Sequence, residues 1–237
     1  MNLEFVKSAV RSLYDAQKLR IEVSNRISKQ EKVKVLSEEW EVKARRHVLA
    51  LRNVEKELLK DVRTVLRETD IWPWLDGVKG VGPAMAGVLV AGVQDPARFE
   101  TVSKLWAYCG LHVIDGRAPR RKKGERANWD SFMRTKLLGV LGGSFLKCNS
   151  PYRSFYDNYK VRLENRPCSM SAAQHKKGAE AEDLLPNGCT KGHMHNKANR
   201  YMVKMFLVDF WTEWRTLRGL PVRSSYQEEY LGHKHTS

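Results

Sequence analysis

Neither proline nor glycine occurs before Pro73 and Gly77. Seventy residues without either breaker point to long helices in the first third of the chain. Long hydrophobic runs are also missing. The longest uncharged apolar stretch, Val81 to Val93, contains Gly82 and Pro83 and falls short of the roughly 18 residues of a membrane helix. Four cysteines in 237 residues are too few for a disulfide scaffold, so a reducing cytoplasm is the expected compartment. The opening Met-Asn-Leu-Glu-Phe-Val-Lys mixes acidic and basic side chains and does not read as a signal peptide. There is no internal repeat and no extended low-complexity tract. Strand signals are confined to short pieces such as His112-Val-Ile114. Acidic residues are scarce: 27 Asp and Glu stand against 42 Lys and Arg, for a net charge of +15.

That excess is unevenly spread. Residues 1–70 hold 16 basic and 12 acidic side chains, whereas residues 71–237 hold 26 and 15. A surplus of this size favours a polyanionic partner, and nucleic acid is the commonest. An anionic membrane surface is the weaker alternative, because no lipidation motif accompanies the charge.

In residues 1–70, Val6, Val10, Leu13 and Tyr14, then Val48, Leu51, Leu58, Val62 and Val65, recur at helical spacing between charged residues. Ser28-Lys-Gln-Glu31 fits a capping box, which predicts a helix boundary near residue 28. The segment reads as a packed helical hairpin or as a coiled-coil arm that dimerises the chain. From Ile71 the texture changes, and a helical domain is expected over 71–165. Residues 166–192 read as a polar loop excursion interrupted by Pro167, Pro186 and Gly188. Residues 193–237 read as a helix, with Tyr201, Met202, Met205, Phe206, Phe210 and Trp214 in the core, followed by a polar tail. The expected fold is mainly α.

The most specific motif is Leu75-Asp-Gly-Val-Lys79-Gly80-Val81-Gly82-Pro83-Ala-Met-Ala86, which resembles a helix-hairpin-helix. Glycine at both turn positions permits a close approach that a Cβ would block, and Pro83 suits the first turn of the second helix. Such a turn leaves backbone N–H groups for a phosphate oxygen, with Lys79 beside them. Downstream, Arg117, Arg120, Arg121, Lys122, Lys123 and Arg126 crowd one loop, opposed by Glu125 alone. Pro119 and Gly124 keep that loop out of a regular helix. Contacts from such groups hold the nucleic acid backbone without reading its sequence.

Between these motifs runs Asp95-Pro-Ala-Arg-Phe99 and then Leu105-Trp-Ala-Tyr108-Cys-Gly110-Leu111. The order resembles the C-terminal domain of the insertion-sequence 110/116/902 transposases: a Gly-hydrophobic-Gly hairpin, an apolar helix, an Asp-Pro-x-x-Phe turn, a helix ending in Tyr-x-Gly-Leu, and a basic loop. The likeness is colinear from about Ile71 to Gly124. It resumes at Ser150-Pro-Tyr-Arg-Ser-Phe-Tyr156 and from His195-Asn-Lys-Ala-Asn-Arg200-Tyr through Trp214. The resemblance implies DNA as partner, a guide or structured RNA as a further one, and a dimer formed through the preceding long helices. Family members also carry a nuclease-like domain with four acidic metal ligands, for which this chain has no room, and a serine nucleophile in the basic loop. Asp115-Gly116 stands where Ser-Gly is usual, and Asp cannot replace that nucleophile. Ser131 is a weak alternative nucleophile, and a role at a helix start explains it better. The expected function is therefore DNA transposition or recombination as a truncated or accessory transposase, with a separate protein supplying the nuclease domain. The alternatives are a non-catalytic nucleic-acid-binding protein and a DNA junction or repair accessory.

Cys168, Cys189, His193 and His195, with His175 between them, are zinc-ligand types. Their spacing matches no standard paired pattern, so no cofactor is expected, with zinc on these residues as the alternative. Cys109, at the end of an apolar helix, reads as a buried small hydrophobe.

Overall fold

The absence of breakers does produce long helices. In a computed structural model that describes residues 2–33, 37–114, 118–170, 175 and 184–222, α1 spans Leu3–Lys32 and α2 spans Glu38–Leu66. Asn2 caps α1 by accepting from the Phe5 N–H. The boundary predicted at Ser28 does not exist. Ser28 lies inside α1, and Glu31 binds Arg45 of α2 instead of reaching back to a cap. The break comes after Val33, and Ser37 is the residue that precedes α2.

The fold is mainly α. The remaining helices are α3 (Trp72–Gly77), α4 (Pro83–Val93), α5 (Val102–Tyr108), α6 (Ser131–Thr135), α7 (Gly142–Lys147), α8 (Arg153–Glu164) and α9 (Lys191–Leu217). A π-helical stretch, Lys136–Leu141, joins α6 to α7 without a break. Among the described residues there is no β-strand, and His112-Val-Ile114 forms none.

The chain divides into two compact units, Met1–Pro73 with Gly82–Gln94, and Trp74–Val81 with Asp95–Ser237. In the first, α1 and α2 run antiparallel, because Arg20 pairs with Glu55 and Glu31 with Arg45. The apolar α4 lies against both, burying Met85 to Ala91 and Val93, with Gly87 on Val6, Val10 and Val62. In the second unit α9 is the central element. Met202, Phe206, Phe210 and Trp214 are fully or almost fully buried, and Tyr152, Phe145 and Trp74 pack their rings around Phe206. Tyr152 also donates its hydroxyl to Asp209 at 2.7 Å, and burial with this carboxylate pushes its pKa up.

Candidate nucleic-acid interface

All the cationic groups described below belong to the second unit, as does the hairpin turn up to Val81. Their frame is set by the turn at Asp95-Pro-Ala-Arg-Phe99. The Asp95 carboxylate accepts from the Ala97 N–H at 2.8 Å and tightens the turn. α9 then pins it: Trp211 Nε1 donates to the Phe99 carbonyl at 2.8 Å, and the buried Arg215 guanidinium donates to the carbonyls of Pro96 and Phe99 at 3.0 and 3.1 Å. This fixes α5 against α9, with Trp106 Nε1 donating to the Lys204 carbonyl at 3.3 Å. Cys109, buried at the end of α5, has its thiol pKa pushed up by desolvation.

A second lock sets the rotation of α9. The π-helical stretch exposes the Leu138 carbonyl, which accepts from Asn199 Nδ2 at 2.9 Å. Asn199 is buried, and a Cβ on Gly142 would fall 2.0 Å from its Oδ1. Glycine is therefore required there by close approach. Arg200 and Lys204, one helical turn apart, emerge on the side next to Asn199.

These two cations meet Arg134 of α6. The Lys204 ammonium sits 3.8 Å from the Trp106 ring centroid, Arg200 donates to the His112 carbonyl at 3.4 Å, and Arg134 donates to the Pro119 carbonyl at 2.8 Å. All three are partly buried. Among the described residues, none forms an ion pair with a carboxylate. The electrostatic consequence is uniform. Desolvation lowers the pKa of Arg134, of Arg200 with help from Arg134, and of Lys204, where desolvation and then Arg200 bring it down to about 8. His112 is also lowered, first by desolvation and then by the three cations, with the Ala107 backbone acting the other way.

Arg134 ties this cluster to the basic loop through Pro119. Arg120, Arg121, Lys122, Lys123 and Arg126 are all exposed, and among the described residues Lys122 alone forms an ion pair, with Glu125 at 3.5 Å. Gly124 turns the loop with φ +82°. The loop returns to α6 where the Asp130 N–H donates to the Tyr108 carbonyl at 2.8 Å and the Asp130 carboxylate caps the helix at the Met133 N–H. Asp130 is thus the cap that the sequence suggested for Ser131, which is simply the first residue of α6. Asp115, Gly116 and Arg117 lie outside the described residues.

At the hairpin motif, α3 ends at Gly77, and the Val81 N–H donates to the Val78 carbonyl at 3.0 Å. Gly80 has φ +103°, and a Cβ there would lie 2.7 Å from Phe145 Cδ1. Its carbonyl accepts from Ser144 Oγ at 2.8 Å. Lys79 is exposed, Val81 half-buried, and Gly82 caps α4 with Pro83 in the first turn. Of the cysteine and histidine set, Cys168 and Cys189 come together beside His193 and His175, while His195 hydrogen-bonds Tyr156 through Nδ1 at 2.9 Å. The sequence reading missed Arg134, Arg200 and Lys204. Their signal was two cations four residues apart on a helix otherwise read for its apolar stripe.

No curated protein and no solved structure matches the chain. Residues 74–157, which carry the hairpin turn, the Asp-Pro turn, the basic loop and Arg134, do match a protein family. That family is the Transposase IS116/IS110/IS902 family.

Proposed function

We propose that this chain is a DNA-binding, transposase-like protein that acts in DNA transposition or recombination by holding the DNA backbone. One observation carries the reading: Arg134, Arg200 and Lys204 are drawn partly out of water with no described carboxylate beside them, at the root of an exposed loop bearing five more cations. Desolvated like charges are unfavourable alone and become favourable when an oligoanion supplies the countercharge. Phosphodiesters do so, and a guanidinium fork suits two phosphate oxygens at once. Arg117, Arg120, Arg121, Lys122, Lys123 and Arg126 extend the contact along the backbone.

The Lys79-Gly80-Val81-Gly82 turn supports the same reading as a helix-hairpin-helix. Lys79 is exposed beside the turn, where its ammonium is open to a phosphate oxygen. Contacts of this kind carry no base identity. Asp115 in place of the family's usual serine supports a holding role. A guide or structured RNA is a second polyanion that the same cations accept. Exposed Leu19, Ile21, Trp40 and Leu49 on the α1–α2 arm support a homodimer formed through residues 1–70.

Fluorescence polarisation with two labelled duplexes of unrelated sequence tests the reading. Arg200→Gln combined with Lys204→Met should weaken both by about tenfold or more, since each lost charge-assisted hydrogen bond is worth roughly 1.5–3 kcal/mol. Unchanged affinity for both duplexes removes the cluster from the interface.

A further inference from the structure

The segment between α8 and α9 gathers side chains that backbone binding does not use. Cys168 follows α8, and Cys189 precedes the Thr190 cap of α9. Their Cα atoms are 5.2 Å apart and their sulfurs are paired as in a disulfide. Both sulfurs and a ring nitrogen of His193 fall within 4.8 Å of one another. His193 lies in the first turn of α9, its N–H bonded to Thr190 Oγ1 at 3.2 Å, and its Nε2 is buried without a hydrogen-bond partner. The buried His175 brings Nε2 to 3.6 Å from Cys168 Sγ and 3.1 Å from the Gly188 carbonyl, with its ring edge-on to His193.

The backbone holds these groups in place. Cys168 N–H donates to the Asn187 carbonyl at 2.9 Å, and Cys189 N–H to Asn187 Oδ1 at 3.0 Å. The Leu185 N–H closes the Pro186-Asn-Gly turn onto the Cys189 carbonyl at 2.8 Å, while Asn187 Nδ2 anchors the turn to α8 at the Leu163 carbonyl, also at 2.8 Å.

A disulfide satisfies two sulfurs and leaves His193 Nε2 stranded, which buried polar groups rarely are. A zinc ion can engage both sulfurs and a His193 ring nitrogen at once. We propose that Cys168, Cys189 and His193 bind a structural zinc ion, with His175 completing a tetrahedral Cys2His2 set. Two thiolates balance the charge of the ion, so the closed site can be buried. Binding uses the reduced pair. Each thiol gives its proton to solvent and a sulfur lone pair to the metal, with no change of oxidation state. Around a tetrahedral zinc the sulfurs stand about 3.8 Å apart, so metal and disulfide exclude one another. The site staples the chain after α8 to the first turn of α9. It stands independently of the nucleic-acid reading, and its test involves no DNA.

The test is zinc content by mass spectrometry of the untagged full chain purified in reductant. The site predicts about one zinc per chain, a fall below about a tenth of that in Cys189→Ser and His193→Ala, and no change in His195→Ala. Cobalt titration of the chelator-stripped chain separates loss of metal from loss of fold. Wild type should develop thiolate-to-cobalt charge transfer and tetrahedral ligand-field bands. His175→Ala should alter the ligand-field bands and keep the charge transfer. A metal-free chain with the Cys168–Cys189 bond intact in reductant would overturn the proposal. So would zinc that survives both Cys189→Ser and His193→Ala.

Discussion

Lys204 keeps its ammonium against the Trp106 ring, with Arg200 one turn away on α9 and His112 facing it from the segment after α5. The ring offers some cation–π attraction, but too little to offset the lost water. The pKa therefore falls from the ordinary 10.5 to about 8. Two consequences of opposite sign follow. Between about pH 8 and 10.5 the unfolded chain binds more protons at this side chain than the folded one, so its contribution to stability rises with pH. A bound polyanion, by contrast, needs the proton, so affinity for duplex DNA should fall as pH rises through about 8. Polarisation titrations at pH 7 and pH 9.5 should show this loss in wild type and a smaller one in Lys204→Met. Equal losses in the two proteins would remove Lys204 from the interface.

At the scale of elements, the junction of the π-helical stretch with α9 is the most constrained contact. Gly142→Ala puts a methyl 2.0 Å from the buried Asn199 Oδ1, and the Asn199–Leu138 bond must then break or shift. Overpacking of this kind costs about 1–3 kcal/mol, and chemical denaturation should show an unfolding free energy lower by that amount without loss of helix content. A change under about 0.5 kcal/mol would mean that α9 is free to slide there. The helices themselves were legible because their signals are local: α1 and α2 lack breakers, Pro83 opens α4, and the stripe from Met202 to Trp214 has helical period. The capping box misled because a Ser and a Glu three apart in a charged helix satisfy the pattern anywhere, and Glu31 had a partner in α2. Packing was not legible. That α4 groups with α1 and α2 follows from an apolar face on every side of it, which says that it is buried without saying by what. The cluster at Arg134, Arg200 and Lys204 was hidden for a related reason. It joins two helices more than sixty residues apart, through a π-turn that has no sequence signature of its own. Cys168, isolated in sequence, is brought to Cys189 by the same kind of non-local closure.

For the whole molecule, the charge asymmetry read from composition acquires a location. Part of the surplus of residues 71–237 is concentrated in the second unit on the loop around Lys122 and the cluster beneath it, while on the α1–α2 arm Lys18, Arg20, Arg26, Lys43 and Arg45 each pair with a glutamate. Exposed pairs of that kind contribute little to stability, whereas unpaired cations contribute directly to polyanion binding. The central claim, that this surface holds the DNA backbone, is therefore best tested by the salt dependence of duplex affinity. Each phosphate neutralised adds about 0.9 to the slope of log affinity against log salt. With Arg120, Arg121, Lys122 and Lys123 replaced by alanine, the slope should become shallower by up to about 3.6, for duplexes of unrelated sequence alike. A slope identical to wild type would contradict the account.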